Sequence, residues 1–237
     1  MTASAANLSD VPVLLRGEAR PIRGWMEHWS AARLVLCLAV VIVGSGAFGA
    51  ALGSWRAPEQ ALYTGIKLPL ILLLTALGNG LLNAMLAPLL GLNLGLRQSL
   101  LAVLLSFTIA AAILGAFSPL LWFLLWKVPL ATADWRAAFT SHSLILVVET
   151  AMIAFAGITA NIRLVQLLRE LSGHRGIARK VLLAWLAGNL LLGSQLAWIL
   201  RPFVGSPGLP VQFLRPNPFD GNFYEMIWNH FRHLLLP

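Results

Sequence analysis

The sequence predicts an all-α, polytopic transmembrane helix bundle of about five spans, with a C-terminal amphipathic helix lying on the membrane interface. Three observations predict it. Five apolar stretches each reach the roughly 20 residues that a helix needs to cross a hydrocarbon core. Charged residues make up 11% of the chain and hydrophobic residues 58%, with a mean hydropathy of +0.78, whereas a soluble domain carries about 25% charged residues. Tryptophans and basic residues gather at the ends of the apolar stretches, where interfacial anchors belong.

The first span is expected from Leu34 to Gly53, after a lead containing Arg16, Arg20, Arg23 and Arg33. That lead is too long for a cleaved signal peptide, so the segment reads as a retained anchor. The second span is expected from Leu68 to Leu90. The third runs from Leu100 to Trp126, with a kink expected at Pro119 and a length that suggests tilt. The fourth starts near Ser143, leaves the hydrocarbon near Asn161 and continues as an amphipathic helix to Leu171, where Gly173 and Gly176 break it. The fifth runs from Val181 to Leu200 and stops at Arg201-Pro202. With spans of about 20 residues each, a five-helix bundle and its loops leave no room in 237 residues for a separate soluble domain. The chain therefore divides into a cytoplasmic N-terminal segment (1–33), a five-span bundle (34–200) and a Pro/Gly-rich outer-face tail (201–237).

An odd number of spans puts the two termini on opposite sides. With the N-terminus inside, the inner side holds ten Lys and Arg residues and the outer side seven, among them Arg56, Lys67 and Lys127. The densest basic group, Arg163, Arg169, Arg175, Arg179 and Lys180, falls in one short loop close to two spans, where the positive-inside rule acts most strongly. Trp55, Trp122, Trp126, Trp135 and Trp198 fall near the expected outer surface, and Trp25, Trp29 and Trp185 near the inner one. The expected location is the inner (plasma) membrane, with a cytoplasmic N-terminus and a periplasmic or extracellular C-terminus. The net charge of +8 is accounted for by basic residues beside spans, which suit anionic lipid, so no nucleic-acid partner is expected.

Polar groups inside hydrocarbon must find partners or serve a purpose. Ser45, Gly49 and Gly53 recur every four residues and form a stripe suited to close helix approach. Asn79 and Asn83 share one face of the second span, with Ser106, Thr108, Asn189 and Gln195 as candidate partners. Such amides either lock helices together or line a polar cavity. Glu149 is the single carboxylate expected inside a span. An acidic side chain at that depth is destabilised by several kcal/mol unless neutral or paired. It points either to ion or proton coupling or to a hydrogen-bonded structural group reaching Lys127 or His142.

Reactive chemistry is sparse. Cys37 is the only cysteine, so no intramolecular disulfide or cysteine metal cage can form. His230 and His233 lie three apart near Glu225 and Asp220, but lack a third strong ligand at a defined distance. His28, His142 and His174 fall in regions on different sides of the bilayer, and no Ser-His-acid or Cys-His pairing is indicated. No metal, cofactor or catalytic residue is expected. After span five, Pro202, Gly205, Pro207, Gly208 and Pro210 exclude regular helix and favour a rigid, folded-back connection. Phe223, Ile227, Phe231 and Leu234 then recur at helical spacing, as in an interfacial amphipathic helix.

The runs Gly53-Ser54-Trp55-Arg56, Ala61-Leu62-Tyr63, Lys67-Leu68-Pro69, Gly78-Asn79 with Asn83, Ala87-Pro88-Leu89, Arg97-Gln98-Ser99, Arg201-Pro202-Phe203 and Gly205-Ser206-Pro207-Gly208 resemble a family of uncharacterised bacterial five-span membrane proteins. The resemblance covers nearly the whole chain from the first span onward. Members look loosely Yip-like in their five spans, and some carry an automatic actin-binding label. The chain has no acidic amphipathic helix followed by a short basic actin-binding motif, so that activity is not carried over. The resemblance implies an integral membrane protein and supplies no catalytic residue.

The function expected from these readings is a noncatalytic membrane scaffold or accessory subunit that engages lipids and other membrane subunits. Its contact residues would be Arg163, Arg169, Arg175, Arg179 and Lys180 inside, and Arg201, Phe203 and Pro207 outside. The alternative is a small-solute or ion permease built on Glu149, Asn79, Asn83 and Gln195. A membrane enzyme ranks behind both, for want of a nucleophile, an acid-base pair or a metal set.

Overall fold

The computed structural model describes residue 24, residues 30–129 and 134–225, and residue 228. The expected N-terminal features at Arg16, Arg20, Arg23, Trp25 and Trp29 lie outside the described residues, as do Ile227, Phe231, Leu234, His230 and His233 of the expected tail helix.

Among the described residues five long helices form: α1 (Ala31–Ser54), α2 (Pro58–Leu89), α3 (Leu96–Lys127), α4 (Trp135–Ser172) and α5 (Arg175–Leu200). All five are long and apolar enough to cross a membrane. Local chemistry sets their ends. Pro58 opens α2 at a position where a missing N–H is harmless. At the start of α3 the side-chain oxygen of Gln98 accepts from the Gly95 N–H at 3.2 Å. α4 stops at Gly173, which takes the left-handed conformation (φ 65°) and donates its N–H to the Arg169 carbonyl at 3.0 Å, a conformation that favours glycine.

α2, α3, α4 and α5 each pack against the next, and α5 returns to α2, closing a ring. α1 packs outside it against α2 and α3. Glycines make the α1 contacts possible. A Cβ on Gly49 would strike the Thr64 backbone, and one on Gly53 would lie 2.6 Å from the Gln60 carbonyl carbon and 2.8 Å from the Ala61 Cα. Gly44 meets the Ala111 backbone of α3 in the same way. The expected small-residue stripe therefore acts within the chain, and Ser45 returns its hydroxyl to the Val41 carbonyl at 2.5 Å.

The apolar interior falls into two clusters. One contains Val41, Leu104, Leu168, Val181 and Trp185. The other contains Phe48, Leu52, Trp55, Leu121, Ile145 and Val204, the last contributed by the tail.

The helices overrun the expected spans. α2 begins at Pro58 rather than Leu68, α4 at Trp135 rather than Ser143, and α5 at Arg175 rather than Val181. Hydropathy marks the part of a helix suited to hydrocarbon, whereas backbone hydrogen bonding carries the helix on past that part. α3 stays a single helix through Pro119, and Ser118 donates its hydroxyl to the Leu114 carbonyl at 3.2 Å. One consequence is a correction to Lys67. Expected as an outer flanking charge, it is a fully buried residue of α2.

Candidate functional site

The end of the bundle where α1 leads into α2 is closed by the chain's own tail. Arg201-Pro202 is a cis peptide bond, and the segment after it turns back over α2. Gln60, Thr64 and Lys67 occupy one face of α2 at spacings of four and three, and all three are fully buried. Lys67 Nζ donates to the Pro202 carbonyl at 2.8 Å. Gln60 Nε2 donates to the Pro202 carbonyl at 3.1 Å and to the Phe203 carbonyl at 2.7 Å. Thr64 donates its hydroxyl to the same Phe203 carbonyl at 2.7 Å.

No carboxylate pairs with Lys67 among the described residues. Its ammonium lies 4.9 Å from the Phe213 ring centre and 5.7 Å from that of Phe203, within range of cation–π attraction. Val204 is 3% exposed, so the tail also contributes to the core. Arg56 Nη2 donates to the Leu209 carbonyl at 3.0 Å, and Gly205 adopts φ +83° beside the Arg56 side chain.

Of the expected outer contact residues, Phe203 is half-buried against this bundle, and Pro207 is half-buried beside it. The Arg201 guanidinium stacks 3.7 Å from the Trp198 ring centre and donates to the Trp198 carbonyl at 2.6 Å. Further on, Tyr224 docks the tail on α5, donating to the Leu190 carbonyl at 3.0 Å. Sequence reasoning missed the part played by Gln60 and Thr64. The signal was present as a polar stripe, Gln60, Thr64 and Lys67, on one face of an otherwise apolar helix.

The intramembrane amides come together, with one exception. Asn79 Nδ2 donates to Asn189 Oδ1 at 2.5 Å and to the Trp185 carbonyl at 3.1 Å, tying α2 to α5. Asn83 Nδ2 donates to Asn79 Oδ1 and to the Asn79 carbonyl, each at 2.8 Å. Asn79 and Asn83 are both fully buried. Gly188 on α5 makes room for this cluster, since a Cβ there would collide with Asn79 Oδ1. Of the other expected partners, Thr108 donates instead to the Leu104 carbonyl at 2.8 Å, and neither Ser106 nor Gln195 bonds to the asparagines. Gln195 is half-buried on α5.

Glu149 lies on the α4 face that carries the buried Ile145 and Met152, and its Oε2 is buried without a hydrogen-bond partner. Neither Lys127 nor His142 reaches it. The His142 ring instead lies 5.9 Å from that of Trp55, and Lys127 lies over Phe123.

At the opposite end of the bundle, the α4–α5 turn exposes Arg169, Arg175, Arg179 and Lys180 to solvent. Arg163, one turn deeper, is half-buried and donates to Gln166 Oε1 at 3.4 Å. Between the two ends, the ring of α2 to α5 borders a half-open cavity of about 360 Å³ lined mostly by apolar side chains. Asn189 lines this cavity, but Glu149, Asn79, Asn83 and Gln195 do not. No protein-family model, curated protein or solved structure matches the chain.

Proposed function

We propose that the chain is a noncatalytic, membrane-embedded scaffold or accessory subunit, with its N-terminus in the cytosol and its tail on the far side of the plasma membrane. The observation that carries this reading is how the polar groups are used. Those at the tail end (Gln60, Thr64, Lys67) and those of the α2–α5 seam (Asn79, Asn83, Asn189) are bonded within the chain. The basic side chains of the α4–α5 turn are left exposed. A cluster of cations beside two span ends attracts anionic lipid headgroups at about 1 kcal/mol per residue, and offers a charged surface to the cytoplasmic part of another membrane subunit.

The test is extraction of the full chain in native nanodiscs, followed by mass spectrometry of the intact particles. A stoichiometric membrane partner that is lost when Arg175 and Arg179 are changed to Gln, with terminal reporters showing an unchanged orientation, supports the proposal. A monomer with no partner at native expression removes it.

A small-solute permease is the second reading, favoured by the cavity between α2 and α5. It gains no support from Glu149, Asn79, Asn83 or Gln195, which lie off that cavity. Uptake assays in proteoliposomes separate the two readings.

A further inference from the structure

Hydroxyls inside an apolar helix usually return to a carbonyl one turn back, and most in this chain do so, as Ser45, Thr108, Ser141 and Thr150 illustrate. Thr75 and Ser106 do not. Thr75 is 2% exposed, its Oγ1 is buried and unpartnered, and it lines the cavity together with Ser106. Two amides from the other half of the ring line the same space. Asn161 donates its Nδ2 to the Gly157 carbonyl at 2.7 Å, which leaves its buried Oδ1 without a partner. Asn189 has its Oδ1 occupied by Asn79, which leaves its Nδ2 as a free donor.

Four unspent polar groups, one from each helix of the ring, thus converge on a single cavity among apolar walls. Of the four, Thr75 Oγ1 and Asn161 Oδ1 are buried without a partner, and unsatisfied buried groups are destabilising, more so in hydrocarbon. A ligand that satisfies them gains correspondingly.

The chemistry of the lining narrows the ligand. Among the described residues no charged side chain lines the cavity, so an ionic head would be left unpaired in a low dielectric. Asn161 Oδ1 requires a donor and Asn189 Nδ2 an acceptor, while the two hydroxyls can act as either. A hydroxyl supplies both functions at once. The volume of about 360 Å³ sits at the low end of small-molecule sites, roughly 300–1,000 Å³, enough for a head and the start of a chain but not for a whole lipid.

The route out is lateral. Ile153 of α4 and Leu190 of α5 line the cavity and are 45% and 68% exposed. A Cβ on Gly157 would meet nothing within 4 Å.

We infer that the cavity between α2, α3, α4 and α5 binds a neutral, single-chain lipid by its hydroxyl-bearing head, entering from the bilayer between α4 and α5. This goes beyond the scaffold reading and holds whether or not a protein partner exists. The full chain in nanodiscs is exposed to a photoreactive long-chain primary alcohol, and the adducts are mapped by mass spectrometry. Unlabelled hexadecanol, hexadecane and hexadecanoate serve as competitors.

Labelling of the peptides that carry Ile153 and Leu190, competed by hexadecanol but not by the alkane or the carboxylate, is the expected result. Thr75→Val combined with Asn161→Leu weakens the competed labelling about tenfold or more. Gly157→Phe, which projects into open space at the entrance, blocks it independently of the polar pair. Thermal unfolding of each variant checks that it is folded, and Gly157→Phe carries the test if the double variant is not. Competition by hexadecane as strong as by hexadecanol, or labelling unchanged in the folded variants, overturns the assignment.

Discussion

Removing Asn79 tests whether the amide cluster holds α2 to α5. Asn79→Ala deletes both of its donations to α5, to Asn189 Oδ1 at 2.5 Å and to the Trp185 carbonyl at 3.1 Å. Interhelical hydrogen bonds in membranes average about 0.6 kcal/mol each and reach about 1.7, so the two together predict a loss of roughly 1–3 kcal/mol. Asn83→Ala is the internal control. Its two bonds stay within α2; the substitution removes an Oδ1 that is buried without a partner but strips Asn79 Oδ1 of its donor, so one orphaned oxygen replaces another. It should cost about 1 kcal/mol and show no coupling to Asn189→Ala, since Asn83 makes no bond to α5. A double-mutant cycle of Asn79→Ala with Asn189→Ala then isolates the pair, with an expected coupling of about 0.6–1.7 kcal/mol. The assay is reversible unfolding of the full chain in mixed micelles titrated with a denaturing detergent. A coupling between Asn79 and Asn189 indistinguishable from zero, or no larger than that between Asn83 and Asn189, would refute the argument.

Three further outcomes are expected. Gly53→Ala puts a Cβ 2.6 Å from the Gln60 carbonyl carbon, so α1 must move away from α2, at about 1–3 kcal/mol of overpacking measured in the same unfolding assay; Gly157→Ala, which meets open space, should change little. Gln60→Leu leaves the Pro202 carbonyl to Lys67 and the Phe203 carbonyl to Thr64, so the tail should stay docked at a cost of about 1 kcal/mol, whereas Gln60→Leu with Thr64→Val strips the Phe203 carbonyl and should speed limited proteolysis after residue 204 severalfold. Changing Arg169, Arg175, Arg179 and Lys180 to Gln removes the strongest retention signal for that end, so reporters fused at the two termini should shift from a single orientation toward a mixture; unchanged reporter signals would count against the proposed topology.

The sequence by itself determined the number of long apolar helices and their all-helical character. Length and apolarity are local properties, and a backbone that must satisfy its own hydrogen bonds in hydrocarbon has little choice but helix. It also determined that Asn79 and Asn83 share a face, because that follows from a spacing of four. Only the tertiary structure decided that Asn189 is their partner on α5 and that Thr108 bonds to its own helix, since helix spacing does not say which helices become neighbours.

The same limit accounts for Lys67. A hydropathy window treats a lysine beside an apolar run as a charge seeking water, but the tail arrives from 135 residues away with a carbonyl and two aromatic rings that cover it. The unspent groups of Thr75, Ser106, Asn161 and Asn189 were equally hidden in the sequence. Each is an ordinary polar residue on its own helix, and it is the closing of α2 to α5 into a ring that brings the four to one cavity.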